Sequence, residues 1–311
     1  MNDFKKHTIK LKGYQTEDGK ISFKLLKDLG DQLTRLAAST LLSYVEGSSK
    51  IKRGKSPVWL TNSIDFNLTG IGEGSTVLEI EAPILSESLA EVQLPIFQEI
   101  DSSKLKETSA LDLSFFAYEQ ALNNKEESYL LDKNLLREIM QFKKVLESEG
   151  AEIIFESNQT EFKITNNILS EIKVLEDKTP PSRKAKVTGK LDVLQHSQSQ
   201  LELVTDGKKM RAKLSGKLNF DDVLKLFGED VILSGIANFN PAGKITSFVI
   251  QSIKKAASED DYFRHIPQPI FKEFDLQRVV EAKGYKGTDI EELIGKWPGD
   301  ESTEELLALL K

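Results

Sequence analysis

Few residue types in this 311-residue chain could carry bond-making chemistry. Cysteine is absent, which excludes disulfides, thiolate metal sites and a cysteine nucleophile together. The three histidines, His7, His196 and His265, lie far apart, and none belongs to a paired His motif that would grip a metal. No G-x-S-x-G elbow offers an activated serine. The Glu79-Ile80-Glu81 pair is taken as splitting across a strand, which would keep the two carboxylates from sharing a metal. The remaining chemistry is that of cations. Lys186, Lys190, Lys209, Arg211 and Lys213 recur at alternate positions between apolar residues, the pattern of a basic stripe on a sheet face that can contact phosphates.

Two glycine-rich stretches resemble nucleotide motifs and fail on context. Gly54-Lys55-Ser56 has Ser49 where a phosphate-binding loop needs its first glycine, and Pro57 follows at once. Gly70, Gly72 and Gly74 separate two strand-like runs, where a dinucleotide fingerprint needs a strand followed by a helix. These failures lead to the expectation of a chain without catalytic residues, cofactor or metal. The first twenty residues hold no apolar leader core and no run reaches the ~18 apolar residues of a membrane span, so a soluble, cytoplasmic protein with no membrane partner is expected.

The expected fold class is α+β. A strand at Thr8–Tyr14 and a turn at Thr16–Gly19 precede a long helix opened by Ser22. Its apolar face is Phe23, Leu26, Leu29, Leu33, Leu36, Ala37, Leu41 and Tyr44, and Gly47 is its stop. Strands at Ser63–Thr69 and Thr76–Glu81 are predicted to flank a glycine hairpin, giving a small sheet under the long helix. Helices follow at Ala110–Asn123 and Asp132–Glu149, then strands at Ala151–Glu156 and around Phe162–Ile164. The pattern over Ile168–Leu175 is left open.

Thr179-Pro180-Pro181-Ser182 reads as a stiff linker that no helix crosses. Beyond it come strands at Lys186–Leu194, Gln200–Thr205 and Lys209–Leu214, a helix at Phe220–Phe227 capped by Asn219, and strands at Val231–Asn238 and Lys244–Ile253. Three strands, a helix and two strands match the five-stranded OB barrel. The predicted organisation is an α+β domain over 1–178, an OB-like barrel over 183–256, and a polar linker with a helical tail over 257–311. Residues 183–257 carry 13 basic and 7 acidic residues, a balance of +6, whereas 258–311 carry 7 and 13, a balance of −6. Val187, Leu191 and Val193 are expected inside the barrel, with Lys186 and Lys190 outside. Strands two and three hold no aromatic residue on which a base could stack.

The tail contains Ile294-Gly295-Lys296-Trp297-Pro298-Gly299-Asp300-Glu301-Ser302-Thr303-Glu304-Glu305. This stretch resembles the C-terminal tail of small bacterial antitoxin-type proteins encoded beside PIN-domain ribonuclease toxins, with Ser302 where that family usually has threonine. Gly70–Glu81 is similar to a glycine–serine hairpin of uncharacterised bacterial proteins. The tail resemblance implies a non-enzymatic regulator that binds and restrains a nuclease partner, with Lys296, Trp297, Pro298 and Asp300 as candidate partner-binding residues. The alternative is a nucleic-acid-binding module acting through the basic barrel, with a place in phage defence.

Overall fold

The computed structural model describes residues 3–14, 20–52, 54–72, 76–90, 107–123, 125–146, 150–157, 160–195, 199–215 and 218–270. The turn expected at 16–19, the centre of the glycine hairpin, His196 and the tail from 271, with Lys296, Trp297, Pro298 and Asp300, lie outside them. Residues up to Ile270 form one compact unit. It contains two hydrophobic cores, one before the Pro180-Pro181 step and one after it. The residues Ala257–Ile270, read from sequence with the tail, fall inside this unit.

The first core lies under a five-stranded antiparallel sheet in the order β2-β3-β1-β4-β5. Its strands are β1 (Phe4–Lys12), β2 (Asn67–Gly72), β3 (Val77–Pro83), β4 (Glu152–Ser157) and β5 (Thr160–Ile164). Alternation buries Ile9, Leu11, Leu78 and Ile80 on the core face and leaves Lys6, Lys12 and Glu79 exposed. The long helix α1 (Phe23–Glu46) covers that face; Ser22 Oγ accepts from Leu25 N at 3.1 Å to start it. Leu25, Leu29, Leu33 and Leu36 form its buried stripe. Phe23 departs from expectation: at the first helical position it is 91% exposed, off the stripe that Leu25 begins.

The strand expected over Ser63–Thr69 is shifted. Val58–Ser63 form a short helix, α2, whose Leu60 is buried and whose Ser63 Oγ donates to the Trp59 carbonyl at 2.8 Å. A bulge between Leu68 and Gly70 then turns Leu68 outward, so the alternation seen in sequence does not mark one face. Gly70 and Gly72 lie within β2 rather than in the turn. After α3 (Leu85–Ser88), helix α4 (Ala110–Leu122) starts from a capping box of Ser109 and Asp112. Helix α5 (Lys133–Met140) is shorter than predicted because the chain tightens into a 3-10 turn at Gln141–Lys144, bringing Phe142 edge-on to Phe155 at 6.2 Å. The undecided stretch is a helix, α6 (Asn166–Lys178), opened by Thr165.

The second core fills a closed five-stranded barrel of β6 (Arg183–Gln195), β7 (Gln200–Thr205), β8 (Lys208–Leu214), β9 (Asp230–Phe239) and β10 (Ile245–Lys255), with α7 (Phe220–Leu224) between β8 and β9. The order β10-β8-β7-β6-β9, with β8 and β10 parallel and the other pairs antiparallel, is OB connectivity. Phe239 and Phe248 are fully buried inside, as expected. Closure brings backbones close at Gly189 and Gly235, where an added Cβ would meet the Val204 and Val249 carbonyl oxygens at 2.4 and 2.3 Å.

The two cores meet at the end of α1. Gly47 adopts φ +70 and its N–H bonds back to the Ser43 carbonyl. Its own carbonyl accepts from Asn238 Nδ2 at 3.2 Å and from Ser247 Oγ, both on the barrel. Ser182 Oγ donates to Asn238 Oδ1 at 2.6 Å, so the chain leaving the proline step joins the same junction. Thr179 and Pro180 are themselves buried, and the Lys133 ammonium donates to the Glu176 and Thr179 carbonyls at 2.9 and 2.7 Å. The proline segment is therefore an anchored crossing.

Gly47 takes a left-handed conformation with Ser247 Cβ only 2.7 Å from where a Cβ would sit. Gly47→Ala should lower stability by about 1–3 kcal/mol, read as a lower urea midpoint. An unchanged midpoint would mean that this junction does not hold the unit together.

Candidate nucleic-acid interface

The five sequence-selected cations do not form one free stripe. Lys186 and Lys190 point outward from β6 and are exposed, as expected, and neither forms an ion pair among the described residues, although Asp230 stands opposite Lys190 in the β6–β9 ladder. Lys209 and Arg211 also point outward, on β8, but a carboxylate cluster holds them. Lys209 Nζ lies 3.5 Å from Asp192 and 3.6 Å from Glu202, and Arg211 Nε donates to Glu202 at 3.0 Å. Lys213 corrects the expectation of a solvent-facing cation. Its ammonium donates to the Val45 carbonyl in the last turn of α1, where the helix dipole favours a positive charge. Burial there pushes its pKa down to about 8, against the attraction of Glu46.

The register explains Asp192. One extra residue in β6 makes Leu191 pair with Leu203 but Val193 with Glu202. This bulge puts Val193 on the outer face beside Glu202 and Arg211, where alternation alone placed it inside, and leaves Asp192 beside Lys209. OB barrels usually bind along strands two and three and the loop between strands four and five. Here the centre of that face is charge-paired. The loop is docked on the chain's own first half: Ala242 N donates to the Glu126 carbonyl at 3.1 Å and Lys244 pairs with Glu127 at 2.6 Å.

The outer face on β6, β9 and β10 is different, and it borders the β8 patch at Lys190, which pairs with Val204 in one row with Lys209. Lys184, Lys186, Thr188 and Lys190 alternate with inward residues on β6. Thr188 pairs with Ile232, which pairs with Lys254, so Lys254 joins this face. A 3-10 turn at Ser258–Phe263 lies on it, held by Thr188 Oγ1 donating to the Asp260 carbonyl at 2.7 Å. Phe263 is brought under the Lys186 ammonium, 5.2 Å from the ring centroid. Tyr262 is 80% exposed and meets Phe263 and His265 edge-on at 5.3 and 6.3 Å. The sequence reading missed these rings because it sought aromatics within the strands. The Tyr262-Phe263-Arg264-His265 run in a polar segment was the available signal.

A serine, a histidine and an aspartate also come together in the first core. His7 Nε2 lies 2.9 Å from Ser109 Oγ, which donates to Asp112 Oδ2 at 2.9 Å, and Lys5 pairs with the same carboxylate at 3.0 Å. The order is wrong for nucleophile activation, because the carboxylate faces the serine and not the histidine. Ser109 and His7 are buried, and His7 Nδ1 has no partner among the described residues. Burial holds the His7 pKa below its usual value, against the pull of Asp112. This is a cap network joining β1 to α4. Glu79 and Glu81 lie on one open face of β3, as a two-residue period requires, correcting the expected split; Lys6 stands 3.9 Å from Glu81. Among the described residues no three His, Asp or Glu are grouped to hold a metal. Likewise, among them no helix is long and apolar enough to cross a membrane. A shallow cleft of about 390 Å³ between α5 and α6 is lined by Met140, Lys143, Leu169 and Lys173, and Lys173 is already paired with Glu176 and Asp177.

The chain matches no family model, no curated protein and no solved structure.

The neutral His7 sets a pH dependence. Its folded pKa lies below the unfolded value of about 6.5, so the unfolded state binds the proton first as pH falls. Stability should be full above about pH 6.5 and decline below it. Unfolding midpoints between about pH 7.5 and 5 should show that slope in the parent and a shallower one in His7→Gln. Equal slopes would remove His7 as its source.

Proposed function

We propose that this chain is a non-enzymatic binding protein that takes a nucleic acid on the outer face of β6, β9 and β10. The observation that carries the reading is the set of four exposed lysines, Lys184, Lys186, Lys190 and Lys254, on one face of an OB-connected barrel with no carboxylate partner among the described residues. Neighbouring acids are already engaged. Arg264 takes Asp230 and Asp261, and Lys255 takes Glu229 at 2.7 Å. Lysines in such an array neutralise phosphates, and the affinity they supply falls with salt. Lys209 and Arg211, by contrast, are held by Glu202 and Asp192, and Lys213 by α1, which argues against the face first indicated by sequence.

A protein partner is the second reading, favoured by the Trp297-Pro298-Gly299-Asp300 peptide and its likeness to antitoxin tails. Under it the partner is a PIN-type nuclease, and Lys296 and Trp297 are the contact residues. Trp297→Ala should then abolish recovery of that nuclease in a pull-down while leaving nucleic-acid binding intact. Undiminished recovery would count against the tail.

The barrel reading separates the two faces by experiment. Binding of a labelled oligonucleotide should weaken in Lys186→Gln/Lys190→Gln, and the slope of log affinity against log salt should fall by ~0.7 for each phosphate left without its cation. Lys209→Gln/Arg211→Gln should bind nearly as the parent does. Both pairs are exposed, so folding should change by less than about 0.5 kcal/mol. Weakening confined to the β8 pair would overturn the assignment.

A further inference from the structure

We infer that the turn carrying Tyr262, Phe263 and His265 is a base-stacking platform that makes the ligand of this face single-stranded. The inference rests on the barrel reading above and adds to it the class of nucleic acid.

Lysines alone do not choose between single and double strands, since both present phosphates. Aromatic rings do choose. A base inside a duplex has both its faces covered by neighbours, whereas an unpaired base can lie on a tyrosine, phenylalanine or histidine ring. The described barrel strands offer no such ring on their outer faces, because Phe239 and Phe248 are fully buried in the core. The rings come from the chain after β10, which folds back over β6.

Three features make this turn a platform. Its position is fixed, because the Asp260 carbonyl takes the Thr188 hydroxyl and the Asp260 carboxylate takes Ala257 N at 2.9 Å. Tyr262 and His265 are exposed and Phe263 is half-buried; Tyr262 meets both rings at near-perpendicular angles and, at 80% exposure, still keeps most of its ring surface in solvent. Its cations are adjacent: Lys186 sits over Phe263, and Lys184 and Lys190 lie one alternate position away on either side of the Lys186–Thr188 pair. A chain of nucleotides running along β6 can place phosphates on these lysines and a base on Tyr262. The charge balance favours an anionic occupant over a basic protein. Within the turn, Asp260 is engaged by Ala257 N and Asp261 by Arg264, Arg264 also takes Asp230 opposite Lys190, and the four lysines form no ion pair among the described residues.

The test uses the full chain with labelled oligonucleotides of about 15 residues, one of deoxythymidine and one of uridine, and a DNA hairpin duplex of equal length, at low salt. Tyr262→Ala should weaken binding of the single strands by about 5- to 150-fold, while the salt slope stays that of the parent. Tyr262→Phe should restore binding, since a phenyl ring stacks as well. The thermal midpoint of Tyr262→Ala should match the parent's, because the side chain is largely in solvent. The duplex should bind more weakly than either single strand, and the relative strengths of the two single strands report the preferred sugar. Binding that depends on Lys186 and Lys190 but not on Tyr262, or equal binding of the duplex, overturns the platform and leaves the phosphate reading standing. No binding of any oligonucleotide by the parent overturns both, and points the exposed rings to a protein.

Discussion

A helix ends with carbonyl groups that its own backbone cannot satisfy, and burying them unpaired would cost about 1–3 kcal/mol each. Helix α1 ends inside the protein, and the barrel supplies its missing donors. Lys213 serves Val45, and Asn238 and Ser247 serve Gly47. Helix α6 meets the same difficulty where the chain crosses into the barrel, and Lys133 serves Glu176 and Thr179. Lys213 thus ties the barrel to α1, while Lys133 fixes the chain within the α+β portion just before the proline step. Two separate hydrophobic cores consequently behave as one compact unit.

That junction decides which surfaces remain for ligands. It takes Lys213 from the basic stripe and holds the loop between β9 and β10 against Glu126 and Glu127. The face usual for this barrel is narrowed to a patch where Glu202 balances Lys209 and Arg211. The β6 face keeps its cations because the acids near it find other partners, Arg264 and Lys255. A lysine's use is set by the carboxylate within about 4 Å of it, not by its place in an alternating pattern.

The buried polar groups follow a similar rule. Ser109, His7 and Asp112 have the types of a hydrolytic triad, yet the aspartate caps the serine and the histidine points a bare nitrogen into the core. Glu176, also buried, would be pushed up by burial alone but is held below its usual pKa by Lys173, Arg137 and Lys133. Each group is neutral or countered in place, which is what a low-dielectric interior demands.

The period of the apolar residues and the turn glycines were sufficient to determine α1 with its Ser22 and Gly47 ends, the pairing of the two strands that flank the glycines, and the three strands, helix and two strands of the barrel. These depend on local sterics and on which face must leave water, and both are written in short stretches of sequence. Tertiary structure alone decided the rest. The bulges at Leu68 and Asp192 reverse which residues face out, and a bulge depends on the partner strand's register. The helix over Val58–Ser63 forms because Leu60 finds a buried site, and the Ile168–Leu175 ambiguity resolves because Leu169, Ile172 and Leu175 pack on the first core. Lys186 and Lys213 look alike in sequence. One lies over Phe263 and the other caps α1, because residues 77 positions after the first and 168 before the second fold beside them, a distance over which no sequence pattern extends.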